Sequence, residues 1–231
     1  MRKTLAVFLG LLATAPITAA AGVTPTEARW LSGVWPAVLY ARQAGMPLDI
    51  VVQPQPTPGH APLALAFVAG RCKLVLSMRG NPQAQSTLDR IEPDLLHVTL
   101  EMMAAHELGH CKRYLDGAWH GLPAGFVPRE VDANEPAGLS ALADMRAARR
   151  EEGYGDLVGL AWTQQRHPRL YARLHAWLVA ERMRDLVRGS HHDTLAWVRL
   201  VRDGSLLATV AHGSIFSASA ALWAAGLGAE P

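Results

Sequence analysis

Residues 94–115 read DLLHVTLEMMAAHELGHCKRYL. The stretch holds no proline and a single glycine, Gly109, and its content is largely apolar, which predicts one continuous helix. Inside it, His106 and His110 stand four residues apart, and Glu107 follows the first. Four residues are about one helical turn, so both imidazoles leave the same face, and Glu107 lies about 100° round from His106. His97 is nine residues before His106, which places it on the opposite side of the helix. Two imidazoles side by side on one helix are a pair able to share a metal ion.

Upstream of this helix the patterns are short. Thr24, Pro25 and Glu27 have the order of an N-cap, a first-turn proline and a capping-box acid. Leu31, Val34, Trp35, Val38 and Leu39 follow at helical spacing, with Pro36 expected to kink that helix or split it in two. PLDIVVQ (47–53) reads as a strand, and LALAFVAG and CKLVLSM as a hairpin turning at Gly70, so that three strands make a small sheet. Downstream, residues 117–138 read as loop. Helical patterns then run from Leu139 to about Gln165, from Pro168 to Arg188, and from Thr194 onward. A small sheet followed by helices is an α+β arrangement. Residues 206–227 carry no formal charge, but Gly213, Ser214, Ser217, Ser219 and many alanines favour a buried helix or helix pair over a membrane span.

The chain has 231 residues, half of them hydrophobic and 18% charged, which suits one folded domain over residues 22–231. The first 21 residues stand apart. Arg2 and Lys3 precede the apolar run TLAVFLGLLATA, and Ala19 and Ala21 offer small residues before Gly22, the order of a cleaved signal peptide. Export to a periplasm is thus the expectation.

 Losing that segment removes two cations and no acid, which takes the formal charge from +2 to zero. A neutral chain without a basic stripe gives no electrostatic ground for nucleic-acid binding. Of the two cysteines, Cys72 and Cys111, an exported chain favours a bridge over two buried thiols.

His106-Glu107-x-x-His110 resembles the signature of the zincins, a group of zinc metallopeptidases. The resemblance covers residues 24 to about 165: helix, small sheet, motif helix and acidic helix. It implies a zincin-like fold and one zinc ion per chain on His106 and His110. It also implies that Glu107 is the general base toward the water that attacks a peptide bond. Zinc with one position open to water needs a third protein ligand. One branch of the group has glycine three residues after the second histidine and a further ligand three beyond that. Here Arg113 and Asp116 hold those places, and without glycine the helix end has no easy way back to the metal.

The other branch, the gluzincins, takes a glutamate from a later helix, often with an acid four residues on. RREEGYGDLVGLAW (149–162) offers Glu152 and Asp156 in that relation. By this resemblance Glu152 is the third ligand, and Asp156 accepts a hydrogen bond from the outer nitrogen of a ligand histidine. Glu151 competes for the ligand role, and Glu130 and Glu135 lie in a Pro/Gly-rich segment that suits it less. Gly153, Gly155 and Gly159 in the same stretch mean either a close approach to the motif helix or an irregular helix. A strand flanks the cleft in zincins, so a 72–111 disulfide would tie the motif helix to the sheet.

GSHHDTLAW (189–197) contributes His191 and His192. Metallopeptidases of this kind use a distant histidine or tyrosine at the oxyanion, and His192, oriented by Asp193, has that chemistry. The alternative is that Asp193 or Thr194 caps a helix and the histidines are exposed. Two functions follow from the resemblance. One is an exported zinc peptidase acting on a peptide or protein substrate. The other is a zincin-fold protein of the cell envelope that binds a peptide or partner without cutting it. Arg71, Lys73 and Arg79, were they in the cleft, would favour acidic side chains.

Overall fold

A computed structural model describes residues 22–124, 126, 137–184, 186–209 and 213–228. The expected signal segment, 1–21, and both Glu130 and Glu135 lie outside the described residues. The architecture is α+β, with a three-stranded sheet early in the chain and helices through the rest.

Helix α1 (Pro25–Gln43) begins with the expected capping box. Thr24 Oγ1 accepts the Glu27 N–H, and the Glu27 carboxylate accepts the Thr24 N–H at 2.7 Å. Pro36 does not split it: α1 runs unbroken, burying Trp30, Val34, Ala37 and Val38. Packing of that face outweighs the one backbone hydrogen bond that proline removes.

Strands β1 (Leu48–Pro54), β2 (Leu63–Val68) and β3 (Arg71–Arg79) lie in the order β1-β3-β2, with β1 parallel and β2 antiparallel to the central β3. Strand β3 buries Cys72, Leu74, Leu76 and Met78, the period-two set of a strand with one face on the core. The β2–β3 hairpin turns on Ala69 (φ 52°) and Gly70 (φ 75°), both in the left-handed region that a two-residue turn of this hand demands. A short helix to which no sequence pattern was assigned, α2 (Pro82–Asp89), follows. It is capped by Asn81 and starts with Pro82.

The motif stretch forms α3 (Leu96–Leu115), buried through Leu100, Ala104, Ala105 and Leu108. It packs on α1, on β2 and along α4 (Ala137–Arg166). The Cys72–Cys111 disulfide is formed and joins β3 to α3, both cysteines being fully buried. After a 3-10 turn at Pro168–Leu170 come α5 (Tyr171–Met183), α6 (Leu195–Leu200), α7 (Ser205–Thr209) and α8 (Ile215–Leu227). The uncharged C-terminal stretch is therefore a helix pair, and α8 packs on α4 with Ile215, Leu222 and Trp223 buried. Among the described residues no helix is long and apolar enough to cross a membrane.

Candidate metal centre

Helices α3 and α4 touch through glycine. A Cβ at Gly155 would stand 2.7 Å from the His106 ring, and one at Gly159 would stand 2.9 Å from the Met102 carbonyl oxygen. Gly109 on the facing helix leaves equally little room, 3.1 Å to Val158 Cγ2. Of the two readings open for the α4 glycines, close approach to the motif helix is observed for Gly155 and Gly159, a Cβ at Gly153 would instead meet Trp197 at 2.5 Å, and the helix is continuous through all three. That approach sets the α4 face carrying Glu152 and Asp156 against the α3 face carrying His106 and His110.

The Nε2 atoms of His106 and His110 are 2.9 Å apart, and the Glu152 carboxylate oxygens lie 3.5 Å from the first and 3.4 Å from the second. Tetrahedral zinc with bonds of about 2.0–2.1 Å sets its ligand atoms roughly 3.3–3.4 Å apart, so these donors are spaced to share one ion of that size. His106, His110 and Glu152 thus form a cluster that can hold a metal ion. Imidazole and carboxylate together suit several first-row divalent ions.

Around the cluster the acids are organised by one cation. His106 Nδ1 donates to Asp156 Oδ1 at 3.0 Å, which leaves Nε2 to face the centre. Arg182, from α5, donates to both Asp156 oxygens at 2.8 and 2.5 Å and reaches Glu152 Oε2 at 3.4 Å. Thr194 Oγ1 adds a fourth bond to Asp156 at 2.5 Å. His110 has no such acid: its Nδ1 is buried without a hydrogen-bond partner among the described residues, and its ring is met edge-on by Trp119 at 5.6 Å.

Ionisation follows from this packing. Burial alone would lower the His106 pKa, but hydrogen bonds to Asp156 and Glu152 outweigh it and raise the value to about 10. Burial would raise Glu152, and the two rings overcome it, holding the carboxylate well below its usual range. Asp156 is likewise driven down against burial, by Arg182 and His106. Glu107 differs. Burial pushes its pKa up, with the two histidines only partly offsetting this, so its affinity for a proton exceeds that of an ordinary glutamate. The two ionised acids make the centre a place where positive charge is favoured.

All four motif side chains, His106, Glu107, His110 and Glu152, line one cavity of about 360 Å³. Leu63 and Leu65 of β2, Met103 of α3 and Trp177 of α5 supply apolar walls. His192 also lines it, 3.9 Å from Glu152 Oε2, and burial together with Arg182 lowers its pKa to about 4. Its expected partner Asp193 is engaged elsewhere, accepting the Gly189 N–H at 2.9 Å. Thr194 precedes α6 without capping it, because its hydroxyl is given to Asp156.

Glu151, the competitor for the ligand role, turns away from the cluster. It takes two hydrogen bonds from Arg113, at 3.0 and 2.8 Å, and one from the His120 N–H. Asp116 ends α3 and pairs with Lys112, and His97 pairs with Glu101 outside the cavity. Arg71 and Arg79 are engaged with Asp49 and Glu27, and neither they nor Lys73 lines the cavity. Sequence reasoning did not single out Arg182, Tyr114 or Trp119, and it read Thr194 only as a helix-cap candidate. For Arg182 a signal existed: it continues the buried stripe Tyr171, Leu174 and Leu178 of α5, where a cation needs a partner.

No family model, curated protein or solved structure matches this chain.

Proposed function

We propose that the chain is an exported, zinc-dependent peptidase of the gluzincin type, with His106, His110 and Glu152 as ligands. The observation that carries this reading is the convergence of those three donors beside Glu107 on the wall of one cavity. Zinc bound there would supply Lewis-acid chemistry, acidifying water and polarising a peptide carbonyl. The chain's own residues do the rest. Glu107, with its raised proton affinity, takes a proton from the attacking water and delivers it to the departing amine. Asp156 fixes the His106 tautomer, Arg182 keeps Asp156 ionised, and the two histidine rings keep Glu152 ionised. His192, a neutral imidazole at pH 7, offers an N–H toward oxygen charge that develops as the carbonyl is attacked. The buried disulfide supports an oxidising compartment such as a periplasm.

Glu107→Gln tests the reading. The zinc-loaded parent is expected to digest a mixture of peptides, read by mass spectrometry. The variant is expected to hold the same zinc and turn over at least about a hundredfold more slowly. Comparable turnover in the two proteins would contradict the role of Glu107, and no digestion by the zinc-loaded parent would leave the partner-binding alternative in its place.

A further inference from the structure

Beside the ligands stands a stack of rings that the proposed chemistry does not use. Phe67 of β2 lies on Tyr114 of α3, with centroids 5.0 Å apart and planes within 7°. Tyr114 lies on Trp119 at 3.9 Å and 12°, and Trp119 meets the ligand His110 edge-on. Tyr114 and Trp119 both line the cavity and are only partly buried. Leu63 and Leu65 are on the same face of β2 as Phe67, at period two, and line the cavity too. The wall from strand to loop is therefore continuous and apolar.

This wall is built in advance. Trp119 sits in the loop after α3, and one buried ion pair adds two bonds to the backbone turns that hold the loop. Arg113, which is doubly bonded to Glu151, donates to the Gly121 carbonyl at 2.7 Å, and the Glu151 carboxylate accepts the His120 N–H at 2.8 Å. The side chains of Arg113 and Glu151 are 11% and 2% exposed. His120 is held at φ 60°, a conformation that non-glycine residues avoid unless their surroundings impose it. Nothing need be ordered at the moment a ligand arrives, so the stacking gain is not spent on fixing the rings.

We propose that Tyr114 and Trp119 form a specificity subsite that takes an aromatic side chain of a bound peptide, placed next to the His110 end of the metal cluster. The proposal rests on the peptidase reading for its substrate class. Phe67 and His120 flank the stacked pair, so an aromatic ring in the cavity meets Tyr114 and Trp119 edge-on, a contact that alanine does not make.

The test measures binding rather than turnover. Two end-blocked pentapeptides, Ala-Ala-Phe-Ala-Ala and Ala-Ala-Ala-Ala-Ala, are titrated calorimetrically into zinc-loaded Glu107→Gln protein. The phenylalanine peptide is expected to bind about tenfold more tightly. Trp119→Ala in that background should bring the two within about twofold, and Trp119→Phe should keep most of the preference. Because Trp119 also touches His110, zinc per chain is measured in each variant. Tyr114→Leu, whose native ring stacks on Trp119, is the second variant and should lower the preference likewise. Equal binding of the two peptides, binding of neither, or a preference that survives both Trp119→Ala and Tyr114→Leu would overturn the subsite. The peptidase reading fails on a different result, the absence of digestion by the zinc-loaded parent, since the binding experiment uses a variant that is not required to cut.

Discussion

Replacing Gly155 by alanine isolates the contact that forms the centre. The new Cβ would lie 2.7 Å from His106 Cε1 and 2.8 Å from each ring nitrogen, where ordinary contact begins at 3.4 Å. The ring must therefore give way by about 0.7 Å, against a tolerance of about 0.2 Å in metal–ligand distance. Such a shift also strains the 3.0 Å bond to Asp156, and losing a partner of that kind costs about 10–100-fold in metal affinity. The fold itself should suffer less. Overpacking costs about 1–3 kcal/mol, and alanine returns about 1 kcal/mol through its helix propensity. The expected outcome is a protein that melts within a few degrees of the parent without metal, yet binds zinc about a hundredfold more weakly. At a fixed, saturating free zinc concentration that loss removes about 2.7 kcal/mol of ligand stabilisation, readable as a smaller zinc-induced rise in Tm. A competition titration with a coloured chelator gives the affinity directly. Zinc affinity within threefold of the parent in a folded Gly155→Ala protein would refute the reasoning that this glycine exists to admit the His106 ring.

Two further outcomes concern stability. The Cys72–Cys111 bridge closes a sequence separation of 39 residues, so Cys72→Ser with Cys111→Ser should cost about 4 kcal/mol of unfolding free energy by chain entropy; an unchanged denaturant midpoint would contradict this. Glu27 is buried, and its pKa lies below the usual 4.5 because it accepts the Thr24 N–H and is bonded by Arg79. A lowered folded value means that its stabilisation is complete above pH 4.5 and drains away as pH falls through the folded pKa. Denaturant midpoints measured from pH 6 down to about 3 should therefore fall less steeply in Glu27→Gln than in the parent, and identical slopes would count against the assignment.

What could be read from the sequence was what depends on local pattern. The motif helix was legible because 94–115 holds no proline and a single glycine, and the acid pair because Glu152 and Asp156 recur one turn apart. Helix α2 was not, since Asn81 and Pro82 are as good at opening a loop as at opening a helix, and the helix is only eight residues long. The glycines of α4 were ambiguous because their reason lies on another helix: Gly155 is explained by the His106 ring and Gly159 by Met102. Trp119 was invisible for the same cause. Its loop is set by Arg113 and Glu151, which are 38 residues apart and carry no mark of their pairing. The fate of Glu151 also shows why adjacent acids resist assignment from sequence. Neighbours on a helix point about 100° apart, so Glu152 meets the histidines while Glu151 faces Arg113.

The proposed centre holds one zinc ion on His106, His110 and Glu152. Its most direct test is elemental analysis of zinc per chain in the parent, Glu152→Ala and Glu151→Gln, each dialysed after loading at neutral pH. One zinc per chain is expected in the parent and in Glu151→Gln, and far less than one in Glu152→Ala. Full zinc in Glu152→Ala would move the third ligand elsewhere, and none in the parent would contradict the metal centre itself.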